Sequence, residues 1–291
     1  MLDVRRLRLL RELSRRGTIS AVAGALSYSP SAVSQQLAIL EREAGVPLLE
    51  PMGRRVRLTA QAELLVAHTG VVLAELERAE ASIAASREQV SGRLRVASFQ
   101  SALLTLLPPI LLSLADAHAG LRVEVTEVES EASLAALVAG EFDIVLGEEY
   151  PGHPQPRPAE IERQDGPADE LSLVLPRSWP AGPLAGLAGR PFVMEPPGSP
   201  AGEWAAASCR REGFEPDVQF TSTDLQIHLR LVESGLAAAL LPDLAGASTR
   251  PSVQIQALTG RPARQIFTAV RRGASGHPAV SAFRAALSTT P

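Results

Sequence analysis

Thr18 to Gly45 reads TISAVAGALSYSPSAVSQQLAILEREAG, two apolar blocks on either side of a short polar break. Ile19, Val22, Ala23 and Leu26 recur at helical spacing, and so do Val33, Leu37 and Leu40, with Ser27-Tyr28-Ser29 breaking the two blocks. Ser29 is a good N-cap and Pro30 falls at the first helical position, where a missing N–H costs nothing. The stretch predicts a short helix, a tight turn and a second helix opening on small polar residues, a helix-turn-helix. An ordinary helical hairpin would share this spacing; the arginines around it favour the nucleic-acid reading.

Upstream, residues 2–16 predict an opening helix with Leu2, Leu7, Leu9, Leu10 and Leu13 on its apolar side and six Arg on the rest, ended by Gly17. Downstream, Val56 and Leu58 alternate with Arg55 and Arg57 after Met52-Gly53, the pattern of a β-hairpin wing whose Arg54 and Arg55 can reach a minor groove. Thr59 then caps a helix expected to run to about Val90, roughly 45 Å at 1.5 Å per residue. Leu65, Val72, Leu76, Ala79 and Ile83 form a coiled-coil-like seam along it, which calls for a second copy of the chain, unless its own domains cover it.

Charge is distributed unevenly. The 291 residues carry a net charge of −4, yet residues 1–60 hold ten Arg against five acidic residues, a head of +5 on a body of −9. The chain contains no Lys, which excludes a P-loop lysine, a Schiff base and a lysine general base. Cys209 is the only cysteine, so no intrachain disulfide and no cysteine metal cage is expected. His68, His118, His153, His228 and His277 are scattered without metal-ligand spacing, and no GxSxG elbow occurs. No enzyme and no cofactor is expected. The charged start and the absence of a long apolar run predict a cytoplasmic protein with no membrane partner.

From Arg93 strands alternate with helices: RLRVASF, a helix over Leu103–Ala117, LRVEVTEV, a helix over Glu131–Ala139, then FDIVLG, an order that calls for a parallel sheet. A polar, proline-rich stretch reaches Glu170 before the strand LSLVLP. A second unit follows through RPFVMEPPG, a helix over Ala201–Glu212, DVQFTS, a helix over Leu225–Ser234 and AAALLP. RQIFTAVRR and a helix over Pro278–Leu287 return to the first unit, with crossings near 163–170 and 262–267. The expectation is a clamshell with a cleft between two α/β subdomains.

The residues resemble the LysR-type family of bacterial transcriptional regulators over nearly the whole chain. The match is carried by Ser29-Pro30-Ser31-Ala32-Val33-Ser34-Gln35-Gln36-Leu37, Gly45-Val46-Pro47-Leu48, Gly53-Arg54-Arg55-Val56-Arg57-Leu58-Thr59, Leu106-Leu107-Pro108-Pro109 and Val232-Glu233-Ser234-Gly235-Leu236. The resemblance implies an α/β protein with an N-terminal winged helix-turn-helix (1–59), a linker dimerisation helix (60–91) and a periplasmic-binding-protein-like effector domain (92–291). Its first subdomain is expected at about 92–163 and 267–291 and its second at about 164–266. Implied partners are double-stranded promoter DNA, a small-molecule effector and further copies of the chain, as a dimer or dimer of dimers. Three departures stand out: Gln35 where the family usually has Arg, Leu49-Glu50-Pro51 in place of Phe-x-Arg, and Ala62 in place of a common Gly.

Two sites follow. Pro30, Ser31, Ser34 and Gln35 open the recognition helix toward base edges, and Gln offers the paired donor and acceptor that adenine accepts. Thr18, Ser20 and Gln36 are placed for phosphates. In the body, Ser98-Phe99-Gln100-Ser101, Pro197-Gly198-Ser199 and Thr221 with Thr223 sit where strands end and helices begin, the usual ligand position of open α/β sheets. Their hydroxyls suggest a carboxylate, and Glu148 with Glu149 a cationic group; an amino acid satisfies both. A transport receptor or small-acid enzyme would share the clamshell but leave residues 1–90 unexplained.

Overall fold

The computed structural model describes residues 1–26, 28–52 and 55–289, without the side chains of Arg55 and Glu131. The head opens with α1 (Val4–Arg16), α2 (Ile19–Ala25) and α3 (Pro30–Ala44). Each starts on a side chain that accepts backbone N–H groups: Asp3 from Arg5 and Arg6, Thr18 from Ala21, Ser29 from Ala32. Gly17 and Gly45 end α1 and α3 in the left-handed region, at φ 73° and 70°. Leu7, Leu10, Leu13, Val22, Val33, Leu37 and Leu40 close one core under the three helices. Leu2 is not part of it: it precedes the Asp3 cap and stays exposed. The wing is the antiparallel pair β1 (Leu49–Met52) and β2 (Arg55–Leu58), anchored by Glu41 Oε1, which accepts the N–H groups of Leu48 at 2.8 Å and Leu49 at 3.0 Å. Ser27, Gly53 and Arg54 lie outside the described residues.

The linker helix α4 (Ala60–Ala85) is capped by Thr59 and ends five residues earlier than its composition suggests. Ser86 closes its last turn, its hydroxyl donating to Ile83 O, so the rod is about 39 Å long. One side packs on the molecule itself through Ala62, Leu73, Ala74 and Ala81. Val72, Leu76 and Ile83 of the expected seam face solvent, beside Leu64 and Val71.

The body continues with β3 (Ser91–Ser98), α5 (Gln100–Thr105), α6 (Leu107–Ala117), β4 (Gly120–Glu127), α7 (Ser130–Ala139) and β5 (Ile144–Glu149). Both β4 and β5 run parallel to β3. The single helix expected over 103–117 is two: Pro108 and Pro109 have no N–H to donate back, so a new helix starts beneath them. The polar stretch after Arg163 is not a loop. It belongs to β6 (Ile161–Pro176), paired antiparallel along its length with β-segments more than sixty residues away in the chain, which its own polar pattern does not reveal. Next come β7 (Pro191–Met194), α8 (Pro200–Arg211), β8 (Asp217–Thr221), α9 (Leu225–Glu233), β9 (Ala239–Pro242), the unexpected β10 (Val253–Ala257), β11 (Ala263–Arg271) and α10 (Pro278–Thr289).

The main sheet runs β10-β6-β11-β5-β3-β4, with β9 also on β6, and β7 pairs parallel with β8. Strands β6 and β11 therefore serve both subdomains, with Ala263 opposite Glu170 and Arg271 opposite Ile161. Phe283 and Val280 of α10 return to the core of Val96 and Ile110, while Phe192, Trp204 and Leu171 centre a second core.

Candidate functional site

Two surfaces have the polar, helix-opening character expected of a site. On the head, Pro30, Ser31, Ser34 and Gln35 are all exposed on the first turns of α3, because Val33 and Leu37 turn the opposite face into the core. Ser31 Oγ lies 3.0 Å from the Ser29 cap hydroxyl. Ser20 is exposed; Thr18 is partly engaged as the α2 cap. Gln36 sits lower and accepts from Arg6 Nη1 at 3.3 Å.

The positive head is less free than its count suggests. Arg6 is held by Glu43, Arg15 and Arg16 flank the buried Glu12, and Arg57 meets Glu50 at 2.7 Å. Arg11 is 6% exposed and donates to Val138 O of the body at 3.4 Å. In the segment Leu49-Glu50-Pro51, Pro51 stands at the Arg position of Phe-x-Arg and removes a basic group, while Glu50 occupies Arg57.

The second surface is a cleft of about 580 Å³ between the two subdomains. Four helix openings converge on it, those of α5, α7, α8 and α9, where strands of the two units end. Phe99, Gln100, Ser101, Glu148, Gly198, Ser199 and Thr223 line it. Ser98, Pro197 and Thr221 do not. Ser98 is fully buried beneath Phe99, and Thr221 still belongs to β8, so one-residue shifts along strand and turn take these groups off the wall. Glu149 points away as well: Arg163 holds it at 2.5 Å and Gln155 N donates to it, which keeps its carboxyl below the usual range despite burial.

The floor is a residue the sequence reading passed over. Arg264 on β11 is 1% exposed and donates through Nε to Asp169 at 2.8 Å and through Nη2 to Ser101 Oγ at 2.6 Å. Its Nη1 meets Glu148 and lies 3.3 Å from Tyr150 Oη. Burial opposes the guanidinium charge, but Glu148, Tyr150 and Asp169 outweigh it and hold the proton firmly. Glu148 is thereby committed to an internal cation, and burial pushes its carboxyl upward. A signal for Arg264 existed: it shares the alternation of Ile266, Thr268 and Val270, which are all buried on one strand face.

Across the cleft, Glu195 after β7 has no cationic partner among the described residues; burial and the charge of Glu148 push it up to about 7. Gln100 ties the two lips, its Nε2 donating to Asp224 at 3.0 Å and its Oε1 accepting from Leu225 N at 2.9 Å. Ser199 Oγ accepts the N–H of Gly202 in the first turn of α8, and Asp224 Oδ1 that of Gln226 in the first turn of α9. Among the described residues no three His, Cys, Asp or Glu side chains are grouped to hold a metal ion, and no helix is long and apolar enough to cross a membrane.

Comparison with known proteins gives these surfaces a family. The model "Bacterial regulatory helix-turn-helix protein, lysR family" matches residues 4–63, and "LysR substrate binding domain" matches 87–290. The chain is 30% identical to "Probable HTH-type transcriptional regulator LrrA" of Synechococcus elongatus, over 99% of this chain and 97% of that protein. It is 29% identical to "Probable hydrogen peroxide-inducible genes activator" of Mycobacterium avium, over 92% of this chain and 84% of that one. A full-length cysteine-to-aspartate variant of OxyR from Pseudomonas aeruginosa has the same fold, with a TM-score of 0.68 at 18% identity, covering 100% of this chain and 96% of that one. With both family models spanning its head and body, the chain belongs to the LysR family of DNA-binding transcriptional regulators.

Proposed function

We propose that this regulator reads paired half-sites in promoter DNA as a homodimer or dimer of dimers, and that a small molecule in the cleft modulates that binding. The observation that carries the DNA half is the unobstructed row of Ser31, Ser34 and Gln35 on the outer face of α3. Short hydroxyls let the helix approach base edges, and Gln35 supplies a bidentate amide. Thr18, Ser20 and Gln36 flank that row toward the phosphates, and Arg54 and Arg55 of the wing are assigned to the adjacent minor groove. Residues 1–59, 60–91 and 92–291 then act as reader, dimerising rod and sensor. The uncovered Leu64, Val71, Val72, Leu76 and Ile83 on α4 support self-association, since an apolar strip of that length is costly to leave in water. The protein acts in the cytoplasm, where its promoter is.

For the effector, the cleft between strand ends supports a small organic molecule, a carboxylate or an amino acid. The name of the mycobacterial relative invites a thiol-based peroxide sensor instead. Cys209 argues against that chemistry here: it is fully buried in α8, burial pushes its thiol up to about 12, and the thiolate is the reactive form.

A mobility shift with the DNA upstream of the protein's own gene tests the DNA half. Ser34→Glu places a carboxylate against the groove and is expected to weaken binding at least tenfold without changing the melting temperature. Unchanged binding would remove α3 from the interface. Wild-type binding should also fall steeply with salt, as phosphate contacts demand.

A further inference from the structure

We infer that the cleft selects an effector carrying a positively charged nitrogen, an amine or a guanidine. The inference rests on the reading of the cleft as the effector site and narrows the chemistry of what enters it. Five carboxylates, Glu127, Glu129, Glu148, Glu195 and Asp224, line this cavity with a single cation, Arg264. That cation is spent: its N–H groups go to Glu148, Asp169, Ser101 and Tyr150, all from the protein. An incoming carboxylate would find no free guanidinium. The opening of α9 offers it little, because Gln100 and Asp224 already accept the N–H groups of Leu225 and Gln226, and at α8 Pro200 has no N–H and Ser199 accepts that of Gly202.

The acceptors, by contrast, are left over. Glu127, Glu129 and Glu195 form no ion pair among the described residues; Glu195 takes a hydrogen bond from Ser199, and the charge of Glu148, which lines the same cleft, raises the cost of a charge on it. A second, neutral group points the same way. Gln155 lines the cleft at 6% exposure, and its amide oxygen is buried with no hydrogen-bond partner. A buried acceptor without a donor costs free energy that a ligand N–H recovers. The acids are not arranged as a metal site. An organic cation of amino-acid or diamine size fits the available 580 Å³, neutralises the Glu148–Glu195 repulsion and reaches the Gln155 oxygen.

Isothermal titration of the full-length protein with L-arginine, L-lysine, putrescine and succinate tests this. Binding of at least one of the three cationic probes, weakened tenfold or more by Glu195→Gln, with no heat from succinate, is the expected result. Glu195→Gln is the variant of choice because Glu195 has no internal cation to strand; Glu148→Gln, with circular dichroism to verify folding, is the second. Binding of succinate in place of the cations overturns the charge assignment and leaves the cleft as effector site. Cation binding untouched by either variant overturns it too, by placing the ligand elsewhere. If none of the four binds, the assignment also falls, while a mobility shift that still fails with Ser34→Glu keeps the DNA reading apart from it.

Discussion

The exposed face of α3 proposed to read DNA and the floor of the cleft are both polar surfaces at helix openings, but they are built oppositely. On α3 the functional groups come from one continuous stretch, stand in solvent and touch almost nothing. In the cleft they come from β5, β6, β11, α5 and the turn after β7, and most are occupied with one another. A surface meant for a large charged partner can leave its polar groups hydrated until the partner arrives. A surface that encloses a small ligand must satisfy its buried groups internally and keep only a few unspent. The unspent ones, Glu195 and the Gln155 oxygen, are therefore the informative residues of the cleft, just as Gln35 is of the head.

The sharpest break between the two regions is expected at Arg264. Arg264→Ala strands Glu148 and Asp169, and removing one member of a buried charge network typically costs about 3–5 kcal/mol. Urea unfolding should show a loss of that order, against less than about 0.5 kcal/mol for Ser34→Glu on the exposed face. Equal losses would mean the floor is not a structural network. A smaller effect is expected where rod and body meet. Gly273 has φ 94°, and a Cβ there would press on Ala74 O of α4, beside the 2.5 Å pair of Arg271 Nε with Glu77. Gly273→Ala should cost about 1–3 kcal/mol and loosen α4 from the body, seen as faster amide exchange around Ala74. Unaltered exchange would show that contact to be incidental.

The smallest effect is the dependence on pH. Glu195 faces Glu148, Arg264 and Glu129, and its folded value of about 7 lies above its ordinary 4.5, so the folded state holds that proton more tightly than the unfolded state does. The stability it contributes is complete below about pH 4.5 and is lost as pH rises through about 7. The ligand-free melting temperature should fall by roughly 2–4 °C between pH 5 and 8, and Glu195→Gln should flatten that slope. An identical slope in the variant would mean that Glu195 has its ordinary affinity for protons and that the cleft is more open than its packing suggests.

Much was legible beforehand where the signal is local. Caps and periodicity placed α1 to α3 to within a residue or two, because Thr18, Ser29-Pro30 and the glycines act within one helical turn. The strand-helix alternation of the body was equally readable. What went astray depended on distant partners or on single positions: the polar start of β6, the short β10, the division of α5 from α6 at Leu107-Pro108-Pro109, and the end of α4.

By itself, then, the sequence determined a basic helix-turn-helix head, a long amphipathic rod and an α/β body, since each follows from caps, periodicity and charge along neighbouring residues. Only the tertiary structure decided that Glu148 is spent on Arg264, that Glu149 turns away, that Gln100 bridges the lips and that Glu195 is left without a cation. The reason is distance along the chain: Arg264 lies 163 residues from Ser101 and 116 from Glu148. No local pattern encodes which of a protein's charges will be neutralised by its own fold and which will wait for a ligand.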